Sequence, residues 1–76
     1  MNSTNLTMIE LQNLKIALGL NNKNKTITQN MFFSQKPCAL WEDLINKGYA
    51  TIKSFSKDGI VYCVTAIGID ICLKNL

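Results

Sequence analysis

Few side chains in this sequence are of the types that act in catalysis, and they are not arranged as in a catalytic site. The chain has no histidine, and it lacks both the nucleophile-elbow serine motif and the glycine-rich phosphate loop. Glu42 and Asp43 are adjacent on a predicted helix, so they diverge by about 100° and cannot face each other as an acid–base pair. Cys38 lies near the start of that helix, where a thiol pKa can be lowered, but no base accompanies it. We therefore expect no enzymatic activity.

The three cysteines do not form a metal or disulfide framework. Cys38, Cys63 and Cys72 are odd in number, lack close pairing and come without any histidine ligand. Free cysteine behaves mostly as a small hydrophobic residue. We expect buried, chemically idle thiols, no metal and no cofactor.

The cationic side chains are all lysines. Eight lysines against five acidic residues give a net charge of +3, which suits a polyanionic partner and ordinary solvent exposure equally well. Arginine makes the commonest base-specific contact, to guanine, and lysine is a poorer substitute. Carboxylates at Glu42 and Asp43 also oppose phosphate binding. The candidate nucleic-acid contacts are Lys36, Asn46, Lys47, Lys53 and Lys57.

Length and composition limit the kind of protein. Seventy-six residues suffice for one domain spanning 1–76, and an apolar share of 47% argues against intrinsic disorder. No apolar run approaches the roughly 18 residues of a membrane span. Residues 1–5 show no basic and apolar secretory pattern, so we expect a location in the cytoplasm of a bacterial host, without membrane contact.

Local patterns predict three helices. Thr7 and Glu10 have the spacing of a capping box for a helix over 8–18, which Gly19 would end. Pro37 suits the first turn of a helix over 37–47 that ends at Gly48. Thr65 would cap a last helix over 66–74.

The segments between these helices predict a loop and a hairpin. Residues 21–29 are polar and turn-prone, although an ordinary helix-turn-helix would place a second helix there. The apolar cluster Met31-Phe32-Phe33 would anchor this loop to the core or, alternatively, form an exposed partner-binding patch. Two β-rich runs flank Asp58-Gly59, which predicts a β-hairpin over 49–64. The order indicates an α+β fold, a small winged helix-turn-helix.

The same order of elements resembles that of a group of small phage and prophage winged-helix proteins. The strings that carry this resemblance are Leu6-Thr7, Leu11, Leu14, Ala17-Leu18-Gly19-Leu20, Asn30-Met31-Phe32, Leu44-Ile45-Asn46-Lys47-Gly48 and Tyr62-Cys63-Val64-Thr65-Ala66-Ile67-Gly68. The resemblance implies a short winged helix encoded by a phage or an integrated element, in a group without an assigned function. It brings no catalytic residue with it.

Two classes of function follow. One is a non-catalytic module that binds double-stranded DNA or regulates transcription, with contacts from the hairpin and the preceding helix. The other is a module that binds a host protein, for example as an inhibitor of host defence. Both terminal helices carry more apolar surface than a small core can cover, which predicts a homodimer. Its interface would consist of Ile9, Ile16, Ile69, Leu73 and Leu76.

Overall fold

A computed structural model describes residues 6–20, 23 and 25–76 of the chain. Its elements are α1 (Met8–Ala17), β1 (Phe32–Ser34), α2 (Ala39–Asn46), β2 (Ala50–Ser56), β3 (Gly59–Val64) and α3 (Ala66–Lys74). The strands form one antiparallel sheet in the order β1-β3-β2. The predicted α+β class, three helices and hairpin are confirmed. The fold is compatible with a winged helix.

Helix α1 has both of the predicted ends, within one residue. The Thr7 side chain accepts a hydrogen bond from the Glu10 backbone N–H at 3.1 Å, and the Glu10 carboxylate accepts one from the Thr7 N–H at 3.0 Å. At the other end Gly19 adopts φ +74°. The N–H groups of Gly19 and Leu20 then bond to the carbonyls of Ile16 and Lys15, as in a Schellman motif.

The segment after α1 runs back along the end of that helix. Thr28 N–H donates to Leu18 O and Met31 N–H donates to Ala17 O, both at 3.0 Å. A Cβ on Gly19 would lie 1.9 Å from the Thr28 hydroxyl, so this close approach requires glycine. Residues 25–31 contain no helix, in agreement with the predicted loop. The other loop positions, 21, 22 and 24, lie outside the described residues.

Helix α2 begins at Ala39, so the prediction that Pro37 occupies its first turn is wrong. Cys38 is the N-cap, and its backbone is extended at φ −106° and ψ 117°. Its N–H donates to the Tyr62 hydroxyl at 3.1 Å. This tertiary bond holds Cys38 outside the helix and leaves Pro37 before the cap. The helix ends as predicted at Gly48, which adopts φ +89°.

Strand β1 is the element that the sequence did not reveal. Phe32, Phe33 and Ser34 pair with Tyr62, Val61 and Ile60 of β3. Before the strand, the Asn30 side chain continues this pairing: its amide donates to Val64 O at 3.0 Å and accepts from Val64 N–H at 2.7 Å. A side-chain amide therefore replaces one residue of strand backbone.

The core lies between the helices and one face of the sheet. At its centre Trp41 stacks between Phe32 and Tyr62, with ring centroids 5.1 and 5.5 Å apart. The other buried apolar residues include Leu14, Leu18, Leu44, Ile60, Val64 and Cys72. Phe32 thus anchors its segment to the core, as predicted. Phe33 is 52% exposed on the other face of the sheet.

Helix α3 has the predicted bounds and is fixed at its start to the end of α2. The Thr65 hydroxyl donates to Gly48 O at 2.7 Å and accepts from the Gly68 N–H at 3.3 Å. A Cβ on Gly68 would lie 2.4 Å from the Tyr49 carbonyl oxygen. Glycine therefore permits α3 to pack directly on the backbone that connects α2 to β2.

Candidate nucleic-acid interface

The hairpin arm, which we define as residues 51–58, is the most exposed continuous part of the sheet. Every one of these residues is exposed, whereas β3 alternates between buried and half-buried positions. The arm ends in a tight turn, in which Ser56 pairs with Gly59 and the Ser56 hydroxyl accepts from the Asp58 N–H at 3.2 Å. The arm thus presents its side chains to solvent on a backbone fixed by its pairing with β3.

A β-bulge lies within the arm at Lys53. Ile52 pairs with Tyr62 and Ser54 pairs with Val61, so Lys53 is an extra residue without a partner on β3. Such a bulge re-aims side chains and often occurs beside functional sites. It also interrupts the free edge of β2, on which a lysine discourages pairing with a further strand.

Three of the predicted lysines lie on the sheet or directly beside it. Lys53 and Lys57 belong to the arm, and Lys36 follows β1, whose last residue Ser34 donates a hydrogen bond to the Lys36 carbonyl. Ser34 pairs with Ile60, beside the hairpin turn. No ion pair within the described residues involves any of these three lysines. Their charges are available to an anionic partner. The hairpin turn also carries one carboxylate, that of Asp58.

Lys47 has a different environment. Its ammonium group lies 2.8 Å from the Glu10 carboxylate and 3.0 Å from that of Asp43. These bonds, to Glu10 first and to Asp43 second, raise the pKa of Lys47 above its usual 10.5. The pKa of Asp43 is lowered by hydrogen bonds with Glu10 and Lys47. Among the predicted contacts, Lys47 is thus the one that the structure places in an ion-pair network.

The exposed face of α2 is acidic rather than basic. Glu42, Asp43 and Asn46 are all exposed on it. Asn46, the remaining predicted contact, therefore shares this surface with two carboxylates. A helix that enters the major groove needs hydrogen-bond donors and cationic side chains on the surface that meets the DNA. The acidic surface of α2 is therefore poorly suited to that role.

Phe55 was not among the predicted contacts, yet it is one of the most exposed apolar side chains, at 73%. It lies two residues after Lys53 and two residues before Lys57. Phe55 pairs with Ile60 and so points to the side of the sheet that carries the helices, but its exposure shows that the helices do not cover it. The Lys-Ser-Phe-Ser-Lys spacing is the signal that could have identified it from the sequence.

The residues predicted for a dimer interface are not all exposed. Ile9, Ile16, Leu73 and Leu76 are between 46% and 62% exposed, whereas Ile69 packs partly buried against the core. Helices α1 and α3 contact each other, and the Lys15 ammonium group donates to the Asn75 carbonyl between them. Three of the four exposed side chains belong to these neighbouring helices, and Leu76 lies two residues after the end of α3.

The cysteines are free thiols, of which Cys72 is buried and Cys38 and Cys63 are half-buried. Burial raises the pKa of the Cys72 thiol, and the nearby Lys15 lowers it to a smaller extent. Within residues 6–20, 23 and 25–76, no cluster of three or more histidine, cysteine or acidic side chains could hold a metal ion. No helix in this part of the chain has the length and apolar character needed to cross a bilayer.

Comparison with models of known protein families, with curated proteins and with solved structures found no significant match to this chain. Its function must therefore be argued from its own residues.

Proposed function

We propose that this protein is a small, non-catalytic DNA-binding or transcription-regulatory module of the phage winged-helix type, and that its β-hairpin makes the main contacts. The observation that carries the proposal is the position of Lys36, Lys53 and Lys57. Lys53 and Lys57 belong to the exposed hairpin arm, Lys36 follows β1, and no described carboxylate pairs with any of the three. Lysines with free ammonium groups on a fixed backbone are suited to phosphate contacts.

In this proposal α2 positions the hairpin rather than reading bases. Its exposed carboxylates, Glu42 and Asp43, would repel phosphates, and Lys47 is held by Glu10. The chain also has no arginine. Binding should then depend on the phosphate backbone more than on base sequence, and it should be weak and salt-dependent.

Fluorescence anisotropy with labelled DNA tests this proposal. Three phosphate contacts on a duplex predict a loss of affinity of about 40-fold between roughly 50 and 200 mM salt. Lys53→Gln and Lys57→Gln should each lower the salt slope by about one unit. Lys74→Gln removes the same charge from α3, where Lys74 is paired with Asp70 at 3.0 Å, and should leave the slope unchanged. Equal effects of all three substitutions would reject a hairpin site.

The proposal includes a homodimer formed by the exposed apolar residues of α1 and α3. Ile9, Ile16 and Leu73 lie on two helices that contact each other, Leu76 follows the second of them, and all four are at least 46% exposed. A second copy that covers them would enlarge the buried core of a chain this small. A two-fold arrangement would also present two hairpin arms to one DNA molecule.

Binding of a host protein is the second candidate, and one observation favours it. On the sheet face opposite the helices, Phe33 is 52% exposed beside the half-buried Val61 and Cys63. No helix of the described chain covers this face. Under this alternative, Phe33→Lys would abolish the capture of a host protein while Lys53→Gln would not, and the protein would not bind DNA at low salt.

A further inference from the structure

The proposed DNA contacts leave the most exposed aromatic side chain without a role. Phe55 is 73% exposed, and it takes no part in the ring stacking of Phe32, Trp41 and Tyr62. An apolar ring in solvent on the exposed arm contributes little to the stability of the core. Its position between two lysines, Lys53 and Lys57, indicates a ligand that is both anionic and aromatic.

We propose that Phe55 is a stacking platform for an unpaired base, and that the hairpin arm binds single-stranded nucleic acid with Lys53 and Lys57 on the phosphates to either side. This inference rests on the proposed function and narrows the partner. Aromatic rings beside a basic backbone track are the usual elements of single-strand binding, because every base has a π-face that can stack. A base in an intact duplex offers no such free face.

The bulge at Lys53 contributes to this arrangement. Strict alternation from Ile52 would direct Phe55 to the opposite face of the sheet. Because of the extra residue, Ile52 and Phe55 lie on the same side of the sheet, as their pairing with Tyr62 and Ile60 shows. Ile52 is 44% exposed there, so the platform has an apolar neighbour along the strand.

The charge of α2 favours a single strand over a duplex. A duplex wide enough to contact both the arm and α2 would bring its phosphates toward Glu42 and Asp43, which are exposed on that helix. A single strand can follow the arm alone. The acidic residue of the arm itself is Asp58, which precedes Gly59 in the turn and is next to Lys57 in the sequence.

The test compares two matched substitutions of exposed phenylalanines. Anisotropy is measured with a labelled oligothymidine of about 12 nucleotides and with a duplex of the same length, at roughly 50 mM salt. We expect tighter binding to the single strand, and we expect Phe55→Leu to weaken it by at least about fivefold. Phe33→Leu makes the same change on the other face of the sheet and should alter affinity less than about twofold. Circular dichroism confirms that both variants fold.

The outcomes separate this inference from the proposed function. If Phe55→Leu binds like the unchanged protein while Lys53→Gln still weakens binding, the stacking role is wrong and the lysine site stands. Tighter binding to the duplex would likewise overturn the single-strand inference alone. If the unchanged protein binds neither nucleic acid at low salt, both proposals fail.

Discussion

The Lys47 ammonium group lies 2.8 Å from the Glu10 carboxylate, and this ion pair joins the end of α2 to the first turn of α1. The Glu10 side chain is only 7% exposed and also closes the capping box of its own helix. A buried carboxylate that loses its cation becomes costly. The pair therefore links two helices, each of which packs against a strand of the hairpin.

Removal of the Lys47 charge should lower stability in a pH-dependent manner. The pKa of Lys47 is raised in the folded state, so its contribution is present below its usual 10.5 and is lost as pH rises through the raised value. The pKa of Asp43 is lowered from 3.8, so its contribution is present above that value and is lost as pH falls through the lowered pKa. Lys47→Met should therefore have its largest effect on Tm between about pH 5 and pH 9.

Lys74→Met provides the matched control for this experiment. Its pair with Asp70 has the same i,i+4 spacing as Lys47 with Asp43, but both side chains are more than 60% exposed. Exposed pairs contribute little, so the Tm should hardly change at any pH. A pH-independent loss for Lys47→Met would show that packing, rather than charge, links the helices.

Asn30 should be important for stability because its amide replaces strand backbone. Asn30→Ala removes two hydrogen bonds to Val64, at 2.7 and 3.0 Å, and we expect a loss of about 1–3 kcal/mol in the free energy of unfolding. The fluorescence of Trp41, the single tryptophan, reports unfolding in urea. Asn13→Ala removes an exposed side-chain bond to Ile9 O and should cost clearly less. Equal losses would mean that the Asn30 hydrogen bonds contribute no more to stability than an exposed side-chain bond does.

The homodimer is tested by sedimentation equilibrium. We expect a dimer that becomes monomeric on combined Ile16→Lys and Leu73→Lys substitution, because both side chains are nearly half exposed on adjacent helices. Ile69 is unsuitable for this test, since it also packs against the core. The control is Ile67→Lys, at a 61% exposed position of α3 outside the proposed interface. If the double variant remained a dimer, or if the unchanged protein were a monomer, this interface would be excluded.

Asp58 should oppose binding to nucleic acid. Asp58→Asn keeps the backbone N–H that bonds to the Ser56 hydroxyl and removes the carboxylate beside Lys57. At low salt we expect affinity for DNA to rise by about two- to fivefold, and the gain should shrink as salt screens the charge. Anisotropy measures both effects. A lower affinity would indicate that the carboxylate itself makes a contact.

Local signals account for the parts of the fold that could be predicted. The capping box of Thr7 and Glu10 and the left-handed Gly19 act within a few residues of the helix they bound, and both are present. Strand β1 could not be found in the same way, because three residues form it and its partners lie on β3. The start of α2 was misplaced because Tyr62, 24 residues away, holds Cys38 in an extended conformation.

At the candidate site, too, the features set by nearby residues could be predicted and those set by distant residues could not. Lys53 and Lys57 could be assigned to the hairpin from the turn sequence alone. The pairing of Lys47 could not be foreseen, since its partner Glu10 is 37 residues away. Phe55 could have been recognised by its spacing from the two lysines, but only the structure shows that the core leaves it exposed.

Chemical-shift mapping is the decisive experiment, because it locates the contact on the folded protein. ¹⁵N-labelled protein is titrated with the oligothymidine at low salt, and each backbone amide is followed. We predict that the largest shifts fall on the hairpin arm, residues 51–58, and near Lys36, with little change at Glu42 or Asp43. Shifts concentrated on α1, α2 or α3, or no shifts at all with this oligonucleotide, would contradict a hairpin that binds single-stranded nucleic acid.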